Sequence, residues 1–190
     1  MKMKLLIVSC GLGIIYGAPA LSDTMTGSIN VRLTLTPGCQ VNNQTSSAGM
    51  NLGSLDFGSR TTVFTDITAT LAGPSGNAIY VKCSVGQTYN VQVTGSSPKP
   101  TEVHGLETTQ ARYMIRTDNP SIGLAYTIYS DIGQNTPIAD NTNLRDTGIP
   151  DGTLGDVYLI NGRIRRGPGD NGNGIPPGAY ADTISVAVNY

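Results

Sequence analysis

The sequence predicts an all-β protein, a sandwich or a barrel, on three observations. Apolar and polar residues alternate with period two in several short runs, turn-rich segments separate those runs, and helical periodicity is hard to find. Composition agrees: 24 Gly and 11 Pro among 190 residues supply many turns, and with no Trp and two Phe the nine Tyr are the main aromatic residues.

The first alternating run is "MTGSINVRLTL". Met25, Gly27, Ile29, Val31, Leu33 and Leu35 share one face, and Thr26, Ser28, Asn30, Arg32 and Thr34 share the other, so the pattern is that of a strand with one buried face. "TVFTDITATL" (62–71) places Val63, Ile67 and Ala69 on one side. "NAIYVKC" (77–83) and "TYNVQV" (88–93) alternate about the turn residues "SVGQ" and read as a hairpin. "RYMIR" (112–116), "GLAYTIYSD" (123–131) and "DVYLINGRI" (156–164) are further strands. "AYADTISVAVNY" reads as one strand with Tyr180, Asp182, Ile184, Val186, Val188 and Tyr190 on one face. The segments 40–54, 94–111, 132–155 and 167–178 are rich in turn residues; 94–111 is expected to hold a short helical turn or a long surface loop.

The N-terminus has a different character. "MKMK" is a basic head, "LLIVSCGLGIIYG" an apolar run and "APALS" a small-residue site. Residues 1–22 therefore read as a secretory signal peptide cleaved after Ala20 or Ser22. The apolar run is short for a bilayer span. Cleavage removes Lys2, Lys4 and Cys10. The 12 basic and 13 acidic residues become 10 and 13, a net charge of −3 on about 168 residues, which fits one domain. Such a chain has no electrostatic footprint for nucleic acid or an anionic membrane, and "RIRRG" (163–167) reads as a solvated strand end. Cys39 and Cys83 remain as an even pair in an oxidising compartment, where a disulfide is the expected state. A metal site would need more ligands than His104 adds.

The sequence offers no catalytic residues and no metal or cofactor site. The single histidine, His104, lies in a Pro- and Thr-rich segment and reads as a surface residue. No nucleophile stands beside a base and an orienting group. "GPGDNGNG" lacks the Lys-Ser/Thr of a phosphate loop and the oxygen spacing of a calcium loop. "NQT" (43–45) is a glycosylation sequon by pattern alone. Asp56, Asp66, Asp131, Asp140, Asp156 and Asp182 are scattered, as turn caps and surface carboxylates are.

Several motifs nevertheless carry a family resemblance. "GCQV" (38–41), "LDFG" (55–58), "IYVKCSVGQTYNVQV" (79–93), "LAYTIYSD" (124–131), "INGRI" (160–164) and "GAYADTISVAVNY" (178–190) follow one another as in the spore coat U domain. The chain resembles that domain from its first strand to Tyr190, and the domain is carried by subunits of archaic, Csu-type chaperone–usher pili of Gram-negative bacteria. The resemblance implies an incomplete immunoglobulin-like sandwich that lacks its last strand. A periplasmic chaperone supplies the missing strand; at an outer-membrane usher the N-terminal strand of a neighbouring pilin subunit then replaces it.

On that reading residues 23–36 are the donor strand, with Met25, Gly27, Ile29, Val31, Leu33 and Leu35 as the partner-binding face, and 37–190 form the pilin domain. Ile184, Val186 and Val188 line the acceptor groove or simply fill a closed core. A one-domain chain fits a rod or minor subunit rather than a two-domain tip adhesin, and the pilus would serve surface attachment and biofilm formation. The competing expectations are a secreted coat protein with the same domain outside any pilus, and a secreted hydrolase or carbohydrate-binding module.

Overall fold

The structure, a computed structural model, describes residues 25–45, 48–168, 170 and 174–190. The expected signal peptide lies outside the described residues. The chain divides after Leu35. Residues 25–35 carry no strand assignment, and the side chains of their apolar face are exposed, Met25 to 93% and Leu33 to 80%. Thr36–Tyr190 form the compact body.

All named elements of the body are β-strands: β1 (Cys39–Val41), β2 (Asp66–Thr70), β3 (Ile79–Cys83), β4 (Asn90–Gly95), β5 (Glu102–His104), β6 (Arg112–Arg116), β7 (Asn119–Tyr129), β8 (Asp156–Tyr158), β9 (Asn161–Arg165), β10 (Tyr180–Ala181) and β11 (Ser185–Asn189). One sheet has the order β10-β6-β7-β9-β2, with β5 added to β7; a second is β1-β3-β8; the third is β11-β4. All pairs are antiparallel except β5 with β7. The inner faces meet in a core that includes Ile79, Val81, Val91, Val93, Ile128 and Ile164, each at most 2% exposed. These are the alternate residues of their strands, as the pleat requires. This is the all-β sandwich architecture the sequence predicts, consistent with the immunoglobulin-like class.

Several connections differ from the sequence expectation. β3 and β4 do not form a hairpin. β3 pairs with β1 and β8, β4 pairs with β11, and the turn after Ser84 carries the chain from one sheet to another. The run 156–164 is two strands in two sheets, because the chain crosses over at Leu159–Ile160. Likewise 180–190 is split, β10 pairing with β6 and β11 with β4. A period-two pattern records which residues face the core; it does not record which sheet they belong to. Val63 falls outside β2 and is exposed, whereas Ile67 is buried.

The segment 94–111 is neither helical turn nor plain loop, since it contributes β5, parallel to β7. His104 is accordingly not a surface loop residue. Its side chain is 14% exposed, with Nδ1 3.0 Å from Asp170 and Nε2 3.0 Å from Glu102. Asp170 is buried and also accepts hydrogen bonds from the Gly105 and Gly167 amides, both at 2.8 Å. Burial raises the pKa of its carboxyl, but the two amides and His104 outweigh burial and hold it below the ordinary range. The folded group thus titrates below its unfolded value of about 3.9, so its stabilisation is present above that pH and is lost as pH falls through the folded value. Asp170→Asn is expected to lower the melting temperature at neutral pH and to flatten the acid side of a Tm–pH profile. A profile parallel to the parent's down to low pH would contradict this.

The turn-rich segment 132–155 is also more than surface. Ile138 and Leu144 are buried in the core. The Asn141 amide donates to Val93 and the Leu144 amide to Val91, which covers the edge of β4 away from β11. Arg112 clamps this segment from β6, donating to Asp140 at 2.5 Å, to the Ile138 carbonyl at 3.2 Å and to Ser96 at 3.3 Å.

Candidate functional site

β11 pairs with β4 along one edge, and no described strand lies along its other edge. Beside that edge the body opens into a groove of about 1140 Å³. This exceeds the ~300–1,000 Å³ of small-molecule pockets, and its shape is a strip. It follows ten of the eleven residues from Tyr180 to Tyr190 on one side and residues 48–57 on the other. The floor is core: Leu71, Ile79, Tyr126 and Ile160 are all below 10% exposed.

The β11 wall is built by register. Val186 lies opposite Val93 and Val188 opposite Val91, and directly opposed residues of an antiparallel pair share a face. Since Val91 and Val93 are wholly buried, Val186 and Val188 turn inward. Ile184, Val186 and Val188 all stand on the groove, half-buried against the core.

Asp182 fixes the point where the chain passes from β10 to β11. Its Oδ1 accepts from the amides of Ser97 (2.8 Å) and Thr183 (2.7 Å), and its Oδ2 accepts from the Tyr126 hydroxyl at 2.6 Å. Burial and this bond push the Tyr126 hydroxyl far above its ordinary value, so it is a fixed donor at any physiological pH.

The opposite wall was missed from sequence. Met50, Leu52, Leu55 and Phe57 pack against the core, and the Phe57 ring meets Tyr126 edge-to-face at 6.0 Å. The alternation slips between Leu52 and Leu55, where Gly53 has φ of +123° and Ser54 bridges Ala72. A Cβ at Gly53 would lie 2.4 Å from the Ala72 carbonyl oxygen, so glycine alone permits this approach. Gly162 of "INGRI" makes the matching space on β9, since a Cβ there would stand 2.6 Å from the Leu55 and Phe57 side chains. The motifs "LDFG", "INGRI" and "AYADTISVAVNY" thus converge on one groove.

The Cys39–Cys83 disulfide joins directly opposed residues of β1 and β3, and Cys39 stands at one end of the groove with Tyr190. Closing 44 residues of chain restricts the unfolded state by roughly 4 kcal/mol in the chain-entropy model.

The candidate polar groups of the body are committed to structure. Both His104 nitrogens face carboxylates, which leaves neither to activate a nucleophile. Asp66 pairs with Arg163, Asp156 with the Tyr89 hydroxyl, and Asp131 caps the amides of Asn135 and Thr136. Among the described residues no group of three or more His, Cys, Asp or Glu is arranged to hold a metal ion.

The Spore Coat Protein U domain matches residues 25–187, most of the chain, with residues 48–57 of one groove wall and 180–187 of the other. The chain belongs to the Spore Coat Protein U domain family. No curated protein matches it significantly. The Spore Coat Protein U domain is a structural pilus or coat domain of exported, surface- or coat-associated proteins rather than an enzyme fold, and it is found in subunits of archaic chaperone–usher pili. Such subunits work through contacts with other subunits.

Proposed function

We propose that the chain is a structural subunit of an archaic chaperone–usher pilus, assembled by donor-strand complementation and exchange and serving surface attachment and biofilm formation. The open apolar groove along the unpaired edge of β11 carries this reading. An exposed strand edge over an apolar floor is an aggregation hazard unless a strand covers it. Residues 25–35 have the matching pattern, exposed and without a partner strand. A periplasmic chaperone strand occupies the groove first, and the strand of another subunit replaces it at an outer-membrane usher.

The geometry favours one sense of insertion. Gly38 is pinned to Ser84: the Gly38 amide donates to Ser84 Oγ at 3.1 Å, and the Ser84 amide donates to the Gly38 carbonyl at 2.9 Å. Ser84 follows β3, and Asn90 at the start of β4 lies opposite Asn189. The body's own linker therefore leaves from the Tyr190 end of the groove. A donor antiparallel to β11 brings its body to the Tyr180 end and leaves that exit clear, giving the head-to-tail contact of an open filament. Eleven donor residues then run against the eleven residues from Tyr180 to Tyr190, with Met25 opposite Tyr190, Ile29 opposite Val186, Val31 opposite Ile184 and Leu35 opposite Tyr180. Gly27 falls opposite Val188, at the end where the disulfide stands.

The chain cannot complete itself in this sense. Leu35 to Gly38 spans no more than about 11 Å, whereas β11 alone extends roughly 17 Å. In this sense the strand comes from another molecule.

Periplasmic expression with and without the cognate chaperone, read on unboiled SDS gels, tests the proposal. Soluble protein is expected only with the chaperone, and a ladder of SDS-resistant oligomers when subunits exchange strands. A soluble monomer that unfolds reversibly without any partner would refute it.

A further inference from the structure

A second cavity, of about 550 Å³, lies beyond the Tyr180 end of the groove. Its volume is within the ~300–1,000 Å³ of small-molecule pockets. Phe57, Met114 and Tyr180 line both spaces and form the partition between them. The floor is the inner face of the large sheet, where Met114 of β6 lies opposite Leu124 of β7 and Ile67 of β2 opposite Ile164 of β9. Ile67, Leu124, Ile164 and Ile175 are at most 9% exposed.

The two openings differ in what they can take. The groove runs along a strand edge, whereas β6, β7 and β9 each have a strand on both sides. The floor of the second cavity thus offers no main-chain partners to an added strand and is read by side chains alone. A peptide or a sugar seated there would leave polar groups unpaired over an aliphatic surface. An aliphatic chain would not.

The rim supplies one charge without a counter-ion. Arg60 is exposed there and is the one cation of the lining, with its Nη2 3.9 Å from where a Cβ on Gly58 would stand. It has no hydrogen-bond or ion-pair partner among the described residues. Its polar neighbours are turned to the backbone. Asp56 accepts from the Gly58 amide at 2.7 Å, the Thr61 hydroxyl donates to the Val63 carbonyl at 3.3 Å, and the Tyr180 hydroxyl donates to the Pro176 carbonyl at 2.8 Å. We propose that this cavity binds a free medium-chain fatty acid, with the aliphatic tail on Ile67, Leu124, Ile164 and Ile175 and the carboxylate on the Arg60 guanidinium.

Calorimetric titration of the full chain, purified from the periplasm, with decanoate and with decanol tests it. The parent is expected to bind both, and decanoate about ten- to a hundredfold more tightly, as a charge-assisted hydrogen bond implies. Arg60→Gln, at an exposed and unpartnered position, should bring decanoate to the level of decanol and leave decanol unchanged. Ala179→Trp places a large ring on the exposed rim of this cavity, away from the groove lining, and should lose both ligands. Phosphatidylglycerol vesicles should not float the parent. No saturable binding of decanoate by the parent, or Arg60→Gln as tight as the parent, overturns the site. Undiminished binding by Ala179→Trp would place the ligand elsewhere, and flotation with vesicles would make it a membrane lipid; either overturns the proposal. None of these measurements reads polymerisation, so donor-strand exchange stands or falls separately.

Discussion

Leu33→Asp is expected to abolish polymers while leaving the chaperone complex intact. Leu33 is 80% exposed, so the substitution removes no packing from the described molecule. In the proposed joint the same residue is buried. A leucine side chain contributes about 1.5–3 kcal/mol when fully buried, and a carboxylate in its place must lose its hydration with no partner to compensate. In the antiparallel register it also lies opposite Asp182, whose oxygens are already bonded to Ser97, Thr183 and Tyr126. Like charge therefore adds to desolvation. On the proposed reading the chaperone fills the groove and does not use residues 25–35, so co-purification with it should be unchanged. Leu33→Asn lacks the charge and should weaken assembly less. Wild-type ladders from Leu33→Asp would show that this face is not the donor face.

The strands were legible because burial on one side of a sheet imposes alternation. β6 falls on "RYMIR", and β3 ends at Cys83 as "NAIYVKC" does. The crossovers were not legible. Between Tyr180 and Val188 the alternation runs on while the backbone leaves one sheet and enters another. Only Asp182 marks the change, and its meaning lies in partners distant in sequence, Ser97 and Tyr126. β5 escaped notice because Glu102–His104 is short and polar, and its place beside β7 is set by the tertiary fold.

The groove divides in the same way. The spacing put Ile184, Val186 and Val188 on one face, and only the family resemblance made that face a candidate groove wall. Whether they border an opening or fill a closed core depends on whether a strand lies along the other edge of β11, and an alternation pattern does not record that neighbour. The facing wall, Met50 to Phe57, was hidden by the slip in phase at Gly53. Its visible trace was the glycine itself, together with the "LDFG" that follows.

The proposed donor and acceptor faces can be separated by mixing two defective variants. Val186→Asp places a charge on the groove wall, opposite Ile29 in the assembled joint and on the inward face of β11. That molecule should offer an intact donor strand and a spoiled groove. Leu33→Asp offers the reverse. Neither should polymerise alone. Mixed, the strand of Val186→Asp can enter the groove of Leu33→Asp, but the dimer formed has no second competent pair to extend it. The expected result is one SDS-resistant band at the dimer position on an unboiled gel, present only in the mixture and containing both variants by mass. The dimer also shows that Val186→Asp can present its strand, which separates a spoiled groove from a failure to fold. Higher oligomers in the mixture would mean that one face tolerates its charge. Dimers from either variant alone would mean that residues 25–35 and β11 are not the two halves of the joint.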